Sequence, residues 1–201
     1  MKKFGSHLFL AAAALICVGT LCAQAEKKAK GGLPVLTPPR LSPHEMIYVR
    51  VGATRPDSTL VSISYGRPYS AKGGKGETRK IWGELVKWNK ADRLGSDEAT
   101  TIMLEHPIEV QGKTIPAGVH TLYIVPSESG PSQLAFSDGR IGKWGIPVDE
   151  AKDIARVDLK KEELPEAVNQ LTIVLENHVT TGTIKIQWEK TQYSVSFTPK
   201  R

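Results

Sequence analysis

Residues 181–198 read TGTIKIQWEKTQYSVSFT. In this stretch Ile184, Ile186 and Trp188 alternate with Lys185, Gln187 and Glu189. Further on, Tyr193, Val195 and Phe197 alternate with Ser194, Ser196 and Thr198. A period of two sends one set to a core and the other to water, as in a strand with one buried face. The same period runs through TLVSISY (59–65), with Val61, Ile63 and Tyr65 opposite Ser62 and Ser64. MIYVRV (46–51), ATTIML (99–104), VHTLYIV (119–125), QLAF (133–136), RVDL (156–159) and LTIVL (171–175) are further strand candidates between Gly, Pro or charged turns. Gln111-Gly112, inside PIEVQGKTIPAG (107–118), marks a hairpin turn. The one helical candidate is PVDEAKDIAR (147–156), where Pro147 suits a first turn and Asp149 and Glu150 suit its positive end. Many short alternating strands with one short helix predict a single antiparallel β-sandwich or jelly-roll-like domain.

The first 25 residues, MKKFGSHLFLAAAALICVGTLCAQA, have another character. Lys2 and Lys3 open them, an apolar run follows, and Ala23-Gln24-Ala25 offers small residues for cleavage, which together predict a secretory signal peptide. The apolar run is short against the roughly 20 residues of a membrane span, so no span is expected after cleavage. Both cysteines, Cys17 and Cys22, fall inside the leader. The rest of the chain therefore has no thiol chemistry and no disulfide framework. EKKAKGGLPVLTPPR (26–40) mixes Lys, Gly and Pro without periodicity and reads as a flexible linker, with the folded domain over 41–199. The expected location is periplasmic or secreted.

The formal net charge is +6, but Lys2 and Lys3 supply two of those charges and the EKKAK segment carries three Lys against Glu26. What remains is close to balanced, which argues against a nucleic-acid partner.

The order of motifs resembles a bacterial exported family, domain of unknown function 2911. The resemblance is carried by SPHE (42–45), ISYGRP (63–68), KIWGELV (80–86), RLGSDEATTI (93–102), IPAGVHTLYIVP (115–126), KWG (143–145), ARVDL (155–159) and IKIQWEKTQYSVSF (184–197). It implies an exported all-β domain and brings no established activity or catalytic residue. The chain departs from the family pattern in two places. Asp92 stands where a Trp usually precedes the Arg, and the loop 71–79 is longer and more basic.

The candidate site is Tyr65, Arg67, Tyr69, Trp82, Arg93 and Glu98, with Asp97 beside it. Arg presents a planar fork for carboxylates, so Arg67 or Arg93 is expected to pair with Glu98 next to the Tyr rings. Such a cluster serves either an anionic or hydroxyl-rich small molecule or glycan, or simply a structural ion pair that staples the 66–98 loops. SAKGGKGETRK (70–80) is not a phosphate loop, because Gly76 is followed by Glu77-Thr78 rather than Lys-Ser/Thr. It reads as a solvated basic loop. His44, His106, His120 and His178 lack metal-ligand spacing, and no cofactor or metal is expected. There is no G-x-S-x-G elbow. Trp82 and Trp144 each precede a Gly and could form an aromatic wall or plug the ends of the domain. The reading is an exported module that binds a ligand or an envelope protein. The alternatives are a hydrolase or isomerase using Glu98 with Arg93, and a structural envelope protein.

Overall fold

The computed structural model describes residues 42–200, which belong to one compact unit, Leu41–Arg201. The expected leader and linker lie outside the described residues. Ten strands follow in order: β1 (His44–Val51), β2 (Thr59–Gly66), β3 (Asp92–Arg93), β4 (Thr100–Leu104), β5 (Ile108–Val110), β6 (Lys113–Ile115), β7 (Gly118–Val125), β8 (Ser132–Ser137), β9 (Asp153–Asn177) and β10 (Gly182–Pro199). All pair antiparallel, in the order β1-β2-β4-β7-β8-β9-β10-β5-β6, with β3 against β7. Among the described residues, no helix is long and apolar enough to cross a membrane.

The sheet folds over on itself through β9. Residues up to Leu159 pair with β8, whereas Lys160 onward pairs with β10. One apolar cluster then joins Val61, Ile63, Ile102, Leu122 and Phe136 to Leu171, Ile173, Ile184, Ile186 and Phe197. The all-β antiparallel class predicted from period-two patterning is the class observed. Within it, RVDL and LTIVL belong to one strand of 25 residues rather than two. The charged stretch between them reads as a turn, yet it stays extended opposite β10. Pro165 falls between Glu163 and Val168, where the pairing register shifts and no ladder amide is required.

The helix expected over 147–156 is reduced to a 3-10 turn, Glu150–Lys152. β9 begins at Asp153, and burial there alternates, with Ala155, Val157 and Leu159 inward. A helix would scatter those three side chains around its axis, so the period-two core contact wins over the helical start signals. Gln111 and Gly112 take φ of 49° and 76°, the left-handed pair of a two-residue hairpin turn between β5 and β6.

β10 also solves a problem of parity. Trp188 and Tyr193 are both buried, yet an uninterrupted strand would put them on opposite faces. Register shifts on either side of Glu189, which takes φ of 52°, reset the alternation so that both aromatic rings point inward.

The packing leaves little room where β10 starts. A Cβ at Gly182 would lie 2.2 Å from the Phe197 ring. Gly182→Ala is expected to cost about 1–3 kcal/mol by overpacking. Chemical denaturation measures this, and an unchanged midpoint would contradict the packing described.

Candidate functional site

The sequence-derived residues fall into three separate neighbourhoods. Tyr65 and Arg67 form the first, where the two layers meet. The buried Tyr65 hydroxyl donates to Glu45 Oε2 at 2.7 Å and accepts from the Ile173 amide at 2.9 Å. Burial, followed by the bond to Glu45, raises its pKa well above the ordinary tyrosine value, so it stays a neutral donor. Arg67 donates to Leu171 O at 3.1 Å and to Thr172 Oγ1 at 2.8 Å, and its Nε lies 3.4 Å from Glu45. Arg67 thus pairs with Glu45 rather than with Glu98. Tyr69 continues the same seam by bridging Gln170. Arg79 donates to the Tyr69 and Ser70 carbonyls at 2.7 and 3.1 Å, and an Ala71–Thr78 bridge closes the basic loop.

Trp82 is in the second neighbourhood, within the core. Its ring centroid lies 5.1 Å from Tyr193, 6.4 Å from Trp188 and 6.5 Å from Trp88. Its indole N–H donates to Trp188 O at 3.4 Å. With only 9% of the residue exposed, Trp82 has no face left for a ligand. The wall of Trp82 and Trp144 considered from sequence does not form, because Trp144 is half-exposed in the loop before β9.

Arg93 and Glu98 belong to the third. Residues 97–99 run antiparallel to 143–145: Gly145 N donates to Asp97 O at 2.9 Å, Ala99 N donates to Lys143 O at 2.9 Å, and Glu98 bridges Trp144. This closes the loop 138–149 against β3 and places Trp144 over Arg93, with the guanidinium carbon 5.2 Å from the ring centroid. Arg93 Nη1 donates to Asp97 O at 2.9 Å. Gly145 is required here, since a Cβ would lie 2.8 Å from Arg93 Cδ. Glu98 instead faces His44, with Oε2 3.3 Å from Nε2, and Asp97 Oδ2 lies 3.8 Å from the same nitrogen.

A small half-open cleft lies beside Arg93, with about 10 Å³ of room, space for roughly one water molecule, lined also by Leu122, Tyr123, Arg140, Val148 and Asp149 among others. Of the six sequence-derived residues, Arg93 alone lines it. Arg140 has its guanidinium against the Trp144 and Ile146 carbonyls at 2.7–3.0 Å, which fixes the loop. The Tyr123 hydroxyl donates to Asp153 at 2.5 Å and accepts from Arg156 at 2.8 Å, and Arg156 also pairs with Glu150. Sequence reading missed Arg140, Tyr123, Asp149 and Arg156. The KWG and ARVDL motifs were visible, but what they face was not.

Of the histidines, His120 is buried, with Nδ1 2.7 Å from Asp138 and Nε2 2.9 Å from the Pro116 carbonyl. Among the described residues, no group of three or more His, Cys, Asp and Glu is arranged to hold a metal ion.

These features define an all-antiparallel-β protein whose loops close over a small, Arg-lined pocket. A family model described as "Protein of unknown function (DUF2911)" matches residues 42–197, and the chain belongs to that family. A search of curated proteins finds no match, and neither does a search of solved structures.

Asp92, beside Arg93, has a pKa pushed up to about 6 by burial, against the opposing pull of Arg93. A raised carboxyl binds its proton more tightly in the folded state than in the unfolded one. Its contribution to stability is therefore present below the ordinary carboxylate range and lost as pH rises from about 4 through 6. Asp92→Asn should flatten that slope and stabilise the fold at pH 7–8 by up to about 3 kcal/mol. Denaturation curves from pH 4 to 8 test it; a variant as pH-sensitive as the parent would show that Asp92 is not the responsible group.

Proposed function

We propose that the chain is an exported binding module that takes a small anionic or hydroxyl-rich molecule in the pocket at Arg93. The observation that carries this reading is the state of the Arg93 side chain. It is half-buried on the pocket wall and bonded to one backbone carbonyl, and among the described residues it makes no ion pair with a carboxylate. A partly desolvated guanidinium with no carboxylate bonded to it is costly, and a bound anion would both relieve that cost and accept its remaining N–H groups. Trp144 supplies a flat aromatic face on the solvent side. The cleft has room for roughly one water molecule, so only one small polar group of the ligand enters it to meet Arg93. The alternative with Glu98 as acid or base beside Arg93 has less support, since Glu98 is directed to His44 and does not line the pocket.

Thermal melting against a panel of organic acids, sugars and phosphates tests the proposal. A ligand at a hundred times its Kd adds about 2.7 kcal/mol to stability and raises the midpoint. Arg93→Ala should abolish the shift while costing only about 1–2 kcal/mol itself, one hydrogen bond and one cation–π contact. A panel without any shift, or a shift that survives Arg93→Ala, would count against it.

A second reading, a module that binds a protein partner, is favoured by a separate feature. Tyr48, Ser62, Met103 and Val119 lie in one row across β1, β2, β4 and β7, and Tyr48, Met103 and Val119 are exposed together with Met46. β1 is the end strand of the sheet and pairs on one side only among the described residues. The partner that fits is a second copy. Antiparallel pairing of β1 with itself about Ile47 keeps like faces together and sets Met46 against the copy's Tyr48. Sedimentation should then show a concentration-dependent dimer that Tyr48→Glu dissociates; a monomer at all concentrations removes this reading.

A further inference from the structure

His120 on β7 is buried, its side chain 5% exposed, and both of its ring nitrogens face acceptors. Nδ1 lies 2.7 Å from Asp138 Oδ1, just past the end of β8, and Nε2 lies 2.9 Å from the Pro116 carbonyl, between β6 and β7. A carboxylate and a carbonyl only accept hydrogen bonds, and a neutral imidazole has a single N–H. Both contacts are therefore hydrogen bonds only when the ring carries two protons. We propose that His120 is a pH-sensitive tie: as the imidazolium it fastens the exit of the β5–β6 hairpin to the end of β8, and on losing a proton it lets the Pro116 end go.

The surroundings supply one counter-charge. Among the described residues, Asp138 is the one charged side chain bonded to the ring. Lys113 on β6 is turned to the Arg156 carbonyl, and Lys152 meets Asp138 through the main chain, its carbonyl accepting from the Asp138 amide at 3.0 Å. Opposite His120 on β4 stands the apolar Ile102. A buried cation needs a partner, and the Asp138 side chain, 57% exposed, provides it while keeping part of its own hydration.

Which bond is lost follows from charge. A bond from N–H to a carboxylate is about twice as strong as one to a neutral carbonyl. The neutral ring therefore keeps Nδ1–H toward Asp138 and turns a bare Nε2 lone pair toward the Pro116 oxygen, where attraction becomes repulsion. The segment that loses its tie is lightly held by backbone pairing. β6 ends the sheet, and β5 pairs with β10 through Ile108 and Glu109. Ile108, Val110 and Ile115 stay in the core, so the release loosens the connection without unfolding the domain. The stabilisation is present in acid, below the ordinary histidine value of about 6.5, and is lost as pH rises above it.

Two measurements on the purified protein test this. NMR of the ring nitrogens should show protons on both Nδ1 and Nε2 of His120 at pH 5.5, and on Nδ1 alone at pH 9. Chemical denaturation at the same two pH values compares the parent with His120→Gln, whose amide does not titrate. The ratio of their folding equilibrium constants should fall about fivefold between pH 5.5 and pH 9, as one hydrogen bond is lost. Asp92 is present in both proteins and cancels from that ratio. A single ring N–H at pH 5.5, loss of the Nδ1 proton in place of the Nε2 proton, or a ratio that does not change with pH would overturn the proposal. If His120→Gln fails to fold, the ring protons of the parent decide alone.

Discussion

The structure depends on β9 passing from one layer of the sheet to the other, and on β10 following it with its buried face intact. A strand that changes layers must still offer apolar side chains inward along its whole length. β10 has its inward residues in two sets of opposite parity, Ile184, Ile186 and Trp188, then Tyr193, Val195 and Phe197. Without the register shifts around Glu189, one of these sets would face water. Burying a large apolar side chain contributes about 1.5–3 kcal/mol, so a slip of one residue across three of them would cost several kcal/mol. That margin is comparable to the whole stability of an ordinary domain. The positive φ at Glu189 is a small cost beside it. The aromatic cluster of Trp82, Trp88, Trp188 and Tyr193 assembles beside this irregularity, and it needs both sets inward.

The same geometry explains why residues that resemble a binding site become a clasp. Where the layers close, the β2 end and β9 meet without a full ladder between them, and polar side chains satisfy the backbone instead. The Tyr65 hydroxyl takes the Ile173 amide, Arg67 takes the Leu171 carbonyl, and Gln170 returns a bond to the Arg67 carbonyl at 2.9 Å. Glu45 accepts the Tyr65 proton and offsets the Arg67 charge. Hydrogen bonds that involve a charged group contribute about 1.5–3 kcal/mol, and an orphaned partner in this seam would cost about as much. Tyr, Arg and Glu are chosen here for reach and for donors, which are also the properties of a ligand site. Chemistry alone could not separate the two uses.

Sequence resolved the strands and left the contacts open. Period two in TLVSISY and in 181–198 reports a local property, the face to which each side chain points. It therefore fixed β2 and β10 without any knowledge of their neighbours. The identity of β9 as one strand was hidden because KKEELPEAVNQ carries no apolar alternation; its extended form comes from pairing with β10. Arg93 stood out as an Arg in a Gly- and acid-rich segment. Its surroundings did not, because the loop that closes over it arrives through the pairing of 97–99 with 143–145, a tertiary event. Trp82 misled for the converse reason. A Trp-Gly step in a loop-like segment looks exposed until the three aromatic residues that enclose it are brought together by the fold.

Arg67 and Arg93 lie in the same half of the chain, each within two residues of a Gly, and they end in opposite situations. The difference lies in what surrounds the guanidinium. Arg67 has a carboxylate, a hydroxyl and a carbonyl within reach, all from strands whose positions are set by the core. Its charge is used up by the fold. Arg93 has one carbonyl and an aromatic face, both from loops that meet because their backbones pair. The carboxyl that feels its charge, Asp92 beside it on β3, makes no ion pair with it among the described residues. A fold that needed only a staple at this place could close an ion pair directly, as it does with Arg156 and Asp153 at 2.7 Å a short way along β9.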